Sequence, residues 1–390
     1  MDSVTLTGAA AAATAAYTLY SCIPRPRRSL TLDSGDTRLS IDLSGGSIAS
    51  FVTNAKGQCS ANPLSWDCAT HDGLDPGDLA PRPLGHFLCC DRWGPPTPAE
   101  LDSGMFYHGE APQVEWQVEA AADSSATMSA ALPMAKMTIR RSVELASVPA
   151  GSGAGGGPHT AVAKIEETVT NVGELGRIYN MVQHPSLGAP FLSAATVVHC
   201  NGKRGFAQGD NTNTCAAVPE EPTFEFPATI NRAGQPADAR RMTGGDDDVQ
   251  SYEVDPASEL GWVTATNPEL GLVFGYCWKR SDYPWISLWC CERPDGYMSR
   301  GIEFGTTGLH KPFPMLVEHP QIFDLPTFIS LDAQESQTRG YAMFLAEVPQ
   351  DFAGVGRLAW DGDVLMLHEV GNWPELTKRT VMVQTGALRL

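Results

Sequence analysis

From residue 37 the chain changes character at every step. In TRLSIDLSGGSIASFV (37–52) apolar and polar positions alternate on both sides of Gly45-Gly46, a period of two around a turn signal, which predicts a β-hairpin. The same pattern, or a short apolar run bounded by turn residues, predicts strands over 114–121, 135–146, 160–172, 260–267, 270–278, 285–292, 300–305 and 338–348. Helical periodicity with caps is nearly absent. The expected fold is all-β, with strands too numerous for a small sandwich, and the expected organisation is a leader over 1–29 and one large domain over 30–390. The connections at 54–106 and 206–256 read as long irregular loops, rich in Pro, Gly, Asn and Asp, of the kind that carry or cover a site.

Composition fits many turns joining short strands, with 38 glycines and 29 prolines in 390 residues. Lysine plus arginine number 27 against 45 aspartates and glutamates, a formal charge of −18. Such a surface repels phosphate backbones and anionic head groups, which argues against nucleic acid or a membrane surface as partner. The ten cysteines include two vicinal pairs, Cys89-Cys90 and Cys290-Cys291. Neighbouring strand residues point to opposite faces, so these pairs suit small buried apolar roles better than disulfides, and a cytoplasmic setting is expected. Residues 4–20 are apolar or small, but Asp2 precedes them and Arg25, Arg27 and Arg28 follow, the reverse of a secretory signal; no membrane-spanning segment is expected. SVPAGSGAGGGPHT (147–160) contains a G-x-G-x-x-G spacing at Gly151, Gly153 and Gly156, yet no helix follows, and it reads as a flexible loop tip.

No Walker loop, HExxH, CxxC or G-x-S-x-G occurs, and the spacing of Cys59, Cys68 and His71 matches no zinc pattern, so neither metal nor cofactor is expected. Three polar clusters remain. The first, residues 91–116, combines Asp91, Arg92, His108 and Glu110 with Trp93, Tyr107 and Trp116. Aromatic faces beside a forked guanidinium and carboxylates suit a sugar, whose C–H face stacks while its hydroxyls take charge-assisted hydrogen bonds. The second is His184, before a proline and able to titrate near neutrality. The third, residues 278–314, holds Glu303 between Ile302 and Phe304, where an apolar setting disfavours the carboxylate and suits a general base. Trp285 and Trp289, four apart on one strand face, fit either core or stacking platform, and His310 and Lys311 fit a rim.

Taken in order, the Gly-Gly hairpin, Arg92 followed by His108, the TVTNVG strand leading to His184, and the GIE glutamate resemble the aldose 1-epimerase (galactose mutarotase-like) superfamily over about residues 30–350. The resemblance implies a large antiparallel β-sandwich that binds carbohydrate on a concave face. It implies Glu303 as the base at the anomeric hydroxyl, His184 as the acid at the ring oxygen, His108 as a further catalytic histidine, and Arg92 as a sugar-hydroxyl contact. Asp91, Trp93, Glu110 and Trp285 are the other expected substrate contacts, and Asp282 or Asp295 stand for the family's hydroxyl-anchoring aspartate. The segment after His184 and EFGTTGLHKPF depart from the family pattern. The expected activity is cofactor-independent exchange of sugar anomers, on a neutral rather than phosphorylated sugar. Alternatives are a non-catalytic carbohydrate-binding protein on the same fold and, third, a polysaccharide lyase or glycosidase, which for hydrolysis calls for two carboxylates, Glu303 and Glu110 being the candidates.

Overall fold

A computed structural model of the chain describes residues 27–55, 58–72, 82–146, 159–208, 223–244, 247–371 and 379–390. The glycine-rich tip at 147–158 and the predicted leader, residues 27–29 apart, lie outside them. Two large antiparallel sheets face each other. The larger runs, edge to edge, Ser29–Asp33, Thr37–Asp42, Ile48–Ala55, His86–Cys89, Val182–Leu187, Met298–Gly305, Trp285–Glu292, Asp248–Val254, Gly202–Ala207 and Thr223–Glu225, with Gln58–Cys59 added to Ile48–Ala55. The second runs Val197–Cys200, Leu260–Asn267, Leu272–Lys279, Ser336–Glu347, Thr160–Asn171, Met137–Leu145, Ser125–Leu132 and Gln117–Ala121. A three-stranded sheet, Val355–Asp361, Val364–Glu369 and Thr380–Gln384, packs on the outer face of the second through Leu358, Leu365, Leu367 and Val383 against Trp262, Val273 and Phe344.

The predicted hairpin pairs Thr37–Asp42 with Ile48–Ala55. Its turn requires glycine: Gly46 has φ +66, and a Cβ there would sit 2.4 Å from the Trp116 ring. The strands Leu260–Asn267 and Trp285–Glu292 have the predicted bounds, and the other predicted strands are present within a few residues. The long connections are corrected. Among the described residues, 54–106 contain Gln58–Cys59, His86–Cys89 and two short helices, Cys68–His71 and Pro98–Asp102, and 206–256 contain four further strands, among them Asp248–Val254. The second helix starts on a capping box. Thr97 Oγ1 accepts from the Glu100 N–H at 3.2 Å, and Glu100 Oε2 accepts from the Thr97 N–H at 2.8 Å.

Period-two alternation on the central strands creates two environments. Leu88, Leu288, Ile302 and Phe304 point between the sheets, where Phe304 stacks on Trp278 of the second sheet at 4.1 Å and 8°. Burying a side chain of this size stabilises the fold by about 1.5–3 kcal/mol. Their immediate neighbours Phe87, Cys89, Trp289 and Glu303 point the other way, as do Val182 and His184 on either side of Gln183, and Cys291. The vicinal cysteines obey the same rule: all four are buried thiols, with Cys90 in the inter-sheet core and Cys89 and Cys291 on the outer face. Among the described residues no helix is long and apolar enough to cross a membrane.

Candidate active site

The outer face of the larger sheet, roofed by loops, encloses a cavity of about 410 Å³. Glu303 sits on its floor, in register with Ser287 on the neighbouring strand and 1% exposed. His184, on the strand at the other side, brings Nε2 to 3.3 Å from Glu303 Oε1. Its Nδ1 shares a 3.0 Å hydrogen bond with Ser186 Oγ, two residues on and on the same strand face. Phe87, on the next strand, stacks on the imidazole at 4.3 Å and 19° and fixes its plane. Trp93 Nε1–H donates to Glu303 Oε2 at 2.8 Å.

A loop contributes the second histidine. His108 adopts φ +63, a conformation uncommon outside glycine, in a turn that sets its ring 5.2 Å from that of His184. Its Nδ1 accepts from the Gly94 N–H at 3.2 Å, so the neutral ring carries its proton on Nε2 and is a donor there. His310 lies 5.5 Å from His108 and shares a 3.2 Å hydrogen bond with the Tyr107 hydroxyl through Nε2. Trp289 donates from Nε1 to Asp247 Oδ1 at 3.0 Å. Trp66, His71, Cys68 and Asp72 complete one end.

Burial dominates the electrostatics. Desolvation raises the Glu303 carboxyl well above its ordinary value, opposed by the Trp93 hydrogen bond. It lowers His184 to about 3, with further lowering from neighbouring histidines, and lowers His310 to about 3. His108 is pushed well below the usual imidazole range by burial and then by His184 and His310. Burial raises the Cys68 thiol to about 12, aided by Asp72, which keeps it protonated and unreactive. Burial therefore disfavours a charge on either partner of the Glu303–His184 pair. No lysine or arginine is among the described lining residues, and no group of three or more His, Cys, Asp or Glu side chains among the described residues is arranged to hold a metal ion.

Of the expected site residues, His184, Glu303, His108 and Trp93 meet at this cavity. Asp91, Arg92, Glu110 and Trp285, expected as substrate contacts, are not among its lining residues. Arg92 is held by Asp91 at 3.3 Å and Glu100 at 2.9 Å and lies over the Phe313 ring, so its fork is spent on the protein. Asp91 also faces Arg177 at 3.6 Å. Glu110 accepts from the Met134 and Ala135 N–H groups at 3.2 and 2.7 Å and braces that turn, which removes it as the second carboxylate of a hydrolase. Trp285 is fully buried against Phe206, Leu309 and Leu316, at the far end of the strand from Trp289. Asp282 and Asp295 accept from the Gly340 and Tyr297 N–H groups and are not among the lining residues, where the aspartates are Asp72 and Asp247. Trp66, Phe87, Asp247 and His310 reach it from segments with no motif. Trp289 and His310 carried a sequence signal only as an aromatic of undecided role and a rim residue.

No protein-family model matches the sequence, and no curated protein matches it. Among solved structures, the chain is similar to a galactose mutarotase related enzyme from Lactobacillus acidophilus, with a TM-score of 0.56 and 12% identity over 83% of this chain and 98% of that one. It is similar to a galactose mutarotase-like protein from Lactobacillus casei (TM-score 0.51, 15% identity, 82% and 100% covered). A galactose mutarotase-like protein from Clostridium acetobutylicum gives a TM-score of 0.50 at 13% identity, with 84% and 97% covered. By these likenesses and its large antiparallel sheets, the chain has the galactose mutarotase-like fold, in a divergent sequence.

Proposed function

We propose that the protein interconverts the anomers of a neutral sugar by acid/base ring opening. The observation that carries this reading is the contact of His184 Nε2 with Glu303 Oε1 at 3.3 Å in an aromatic-walled cavity whose described lining has no cationic side chain.

Opening a hemiacetal ring needs one proton removed from the O1 hydroxyl and one delivered to O5 as the C1–O5 bond breaks. The product is the open-chain aldehyde. Rotation about C1–C2 and reclosure on the other face, with both proton transfers reversed, yield the opposite anomer. A carboxyl and an imidazole sharing one proton are sufficient for both transfers. With the proton on His184, reached by one hop across the 3.3 Å contact, Glu303 is the base at O1 and His184 the acid at O5; opening leaves the proton on Glu303, which returns it to O1 in reclosure while His184 takes the O5 proton. His108, a fixed Nε2–H donor, is suited to a developing alkoxide. Ser186 and Phe87 hold the His184 ring, so little reorganisation accompanies transfer. Asp247 offers a carboxylate to ring hydroxyls.

The test is α/β exchange by NMR saturation transfer on free hexoses and pentoses. Acceleration by the wild-type protein on at least one sugar is expected. Binding shifts without acceleration on any sugar would overturn catalysis and favour a carbohydrate-binding protein on the same fold.

A further inference from the structure

Trp93 was expected to stack against a sugar, yet its ring is only 2% exposed. One edge-to-face contact with His310, at 4.7 Å and 77°, covers it from the loop side, and its N–H is spent on Glu303. His310 is itself clamped. Its Nε2 shares a hydrogen bond with the Tyr107 hydroxyl, and its ring lies so close to Gly94 that a Cβ there would stand 3.1 Å from it. Tyr107, His310, Trp93 and Glu303 thus form a brace drawn from distant parts of the chain.

An indole N–H donates and cannot accept. The oxygen it meets, Oε2, must act as acceptor, so a protonated Glu303 carries its hydrogen on the other oxygen, Oε1. That is the atom 3.3 Å from His184 Nε2. A donor at 2.8 Å also favours the ionised carboxylate, against the burial that disfavours it. We infer that Trp93 is a positioning residue for Glu303, which keeps the exchangeable proton on the oxygen facing His184 and holds that carboxyl in orientation for proton transfer. The inference rests on the acid/base reading of the Glu303–His184 pair. The other titratable groups around the carboxyl are Cys89 from the strand beyond His184, His108 and Tyr107 from the loop, Asp247 at the cavity wall, and His310.

The experiment is a pH titration of the Glu303 side-chain carboxyl by carbon-13 NMR in wild type and Trp93→Phe, with anomer exchange measured on the same samples. Phenylalanine keeps a ring and removes the N–H. Expected are a titration midpoint higher by about one pH unit and a fall in kcat of about tenfold, with KM within about twofold. In wild type, the Trp93 indole proton resonance should also follow the Glu303 titration and stop doing so in Glu303→Gln. This second readout needs no change at Trp93, so it decides the matter if Trp93→Phe does not fold. An unmoved midpoint in a folded Trp93→Phe, an indole resonance blind to Glu303, or a rise in KM with kcat intact would each overturn the inference, the last by restoring a stacking role. A shifted midpoint in a protein that exchanges no sugar would support the positioning role and reject the enzymatic reading alone.

Discussion

Gln183 and His184 are adjacent on one strand and serve opposite faces of it. On the inner face, Gln183 donates from Nε2 to Glu167 Oε2 at 2.6 Å and accepts at Oε1 from His86 Nε2–H at 3.0 Å, and the other ring nitrogen of His86 meets the Tyr276 hydroxyl at 3.1 Å. Glu167 is completed by Arg141 Nε at 2.6 Å, and Arg141 donates onward to the Gly46 carbonyl in the predicted hairpin turn. On the outer face, Glu303 is equally buried but has no cation; it meets an indole N–H and a neutral imidazole. Both carboxylates lie in low dielectric. The one balanced by a guanidinium ties the sheets together, and the one left without a cation has its charged form disfavoured by burial.

Exchanging the chemistry of the two carboxylates should separate catalysis from stability. The largest effect is expected for Glu303→Gln, with a fall of about 10²–10⁴ in anomer exchange rate, since the amide keeps the shape and loses the basicity. Thermal stability should not fall. Because the folded carboxyl is raised above its ordinary 4.5, the unfolded chain is ionised and the folded one is not between those two values, so wild type loses stability there as pH rises. The glutamine variant escapes that loss, and its advantage in urea should grow with pH; a constant difference would contradict the raised value.

On the inner face, Arg141→Met should cost about 3–5 kcal/mol in urea-induced unfolding, because it strands Glu167 without its cation, while kcat per folded molecule stays within a few-fold. Selective loss of turnover would place this network in the chemistry. A smaller effect, about ten- to a hundredfold in rate, is expected for His184→Asn with the fold retained, measured as exchange rate against pH; an unchanged rate and profile would remove His184 from the chemistry.

A further test is shared by both faces. His86 between the sheets and His184 and His310 in the cavity are each lowered from 6.5 to about 3 by burial. As pH falls below 6.5 the unfolded chain takes up protons that the folded one refuses, so stability should drop as pH falls towards about 3. Above pH 6.5 they contribute no slope. Thermal midpoints between pH 7 and 4 that do not fall would contradict this.

The fold was legible wherever apolar density outweighed everything else. Leu260–Asn267 and Trp285–Glu292 have the bounds their sequences predict because both are continuous buried runs. His86–Cys89 and Val182–Leu187 were hidden by brevity, by polar residues facing the cavity, and by Pro185, although they are central strands. The capping box at Thr97–Glu100 marked a helix start, but no apolar periodicity follows it. At the site, Glu303 stood out as a carboxyl between Ile302 and Phe304, whereas His184 read as a lone histidine in a turn before Pro185 and drew its role from the family resemblance. Arg92 and Glu110 looked equally suited from composition alone. Sequence did not reveal that Glu100 would claim the guanidinium, or that the Met134 and Ala135 amides would claim the carboxylate. Trp285 and Trp289 share a face, and only the Phe206 and Leu309 packing over one end of the strand distinguishes them.

The most direct measurement is the saturation-transfer rate of α/β exchange for Glu303→Gln beside wild type, at equal concentrations of folded protein and with sugar affinity read from the same spectra. A rate at least about a hundredfold lower with affinity within a few-fold is expected if the cation-free carboxyl carries the proton. A rate equal to that of wild type would show that the exchanged proton travels by another group and that Glu303 is one more buried structural residue.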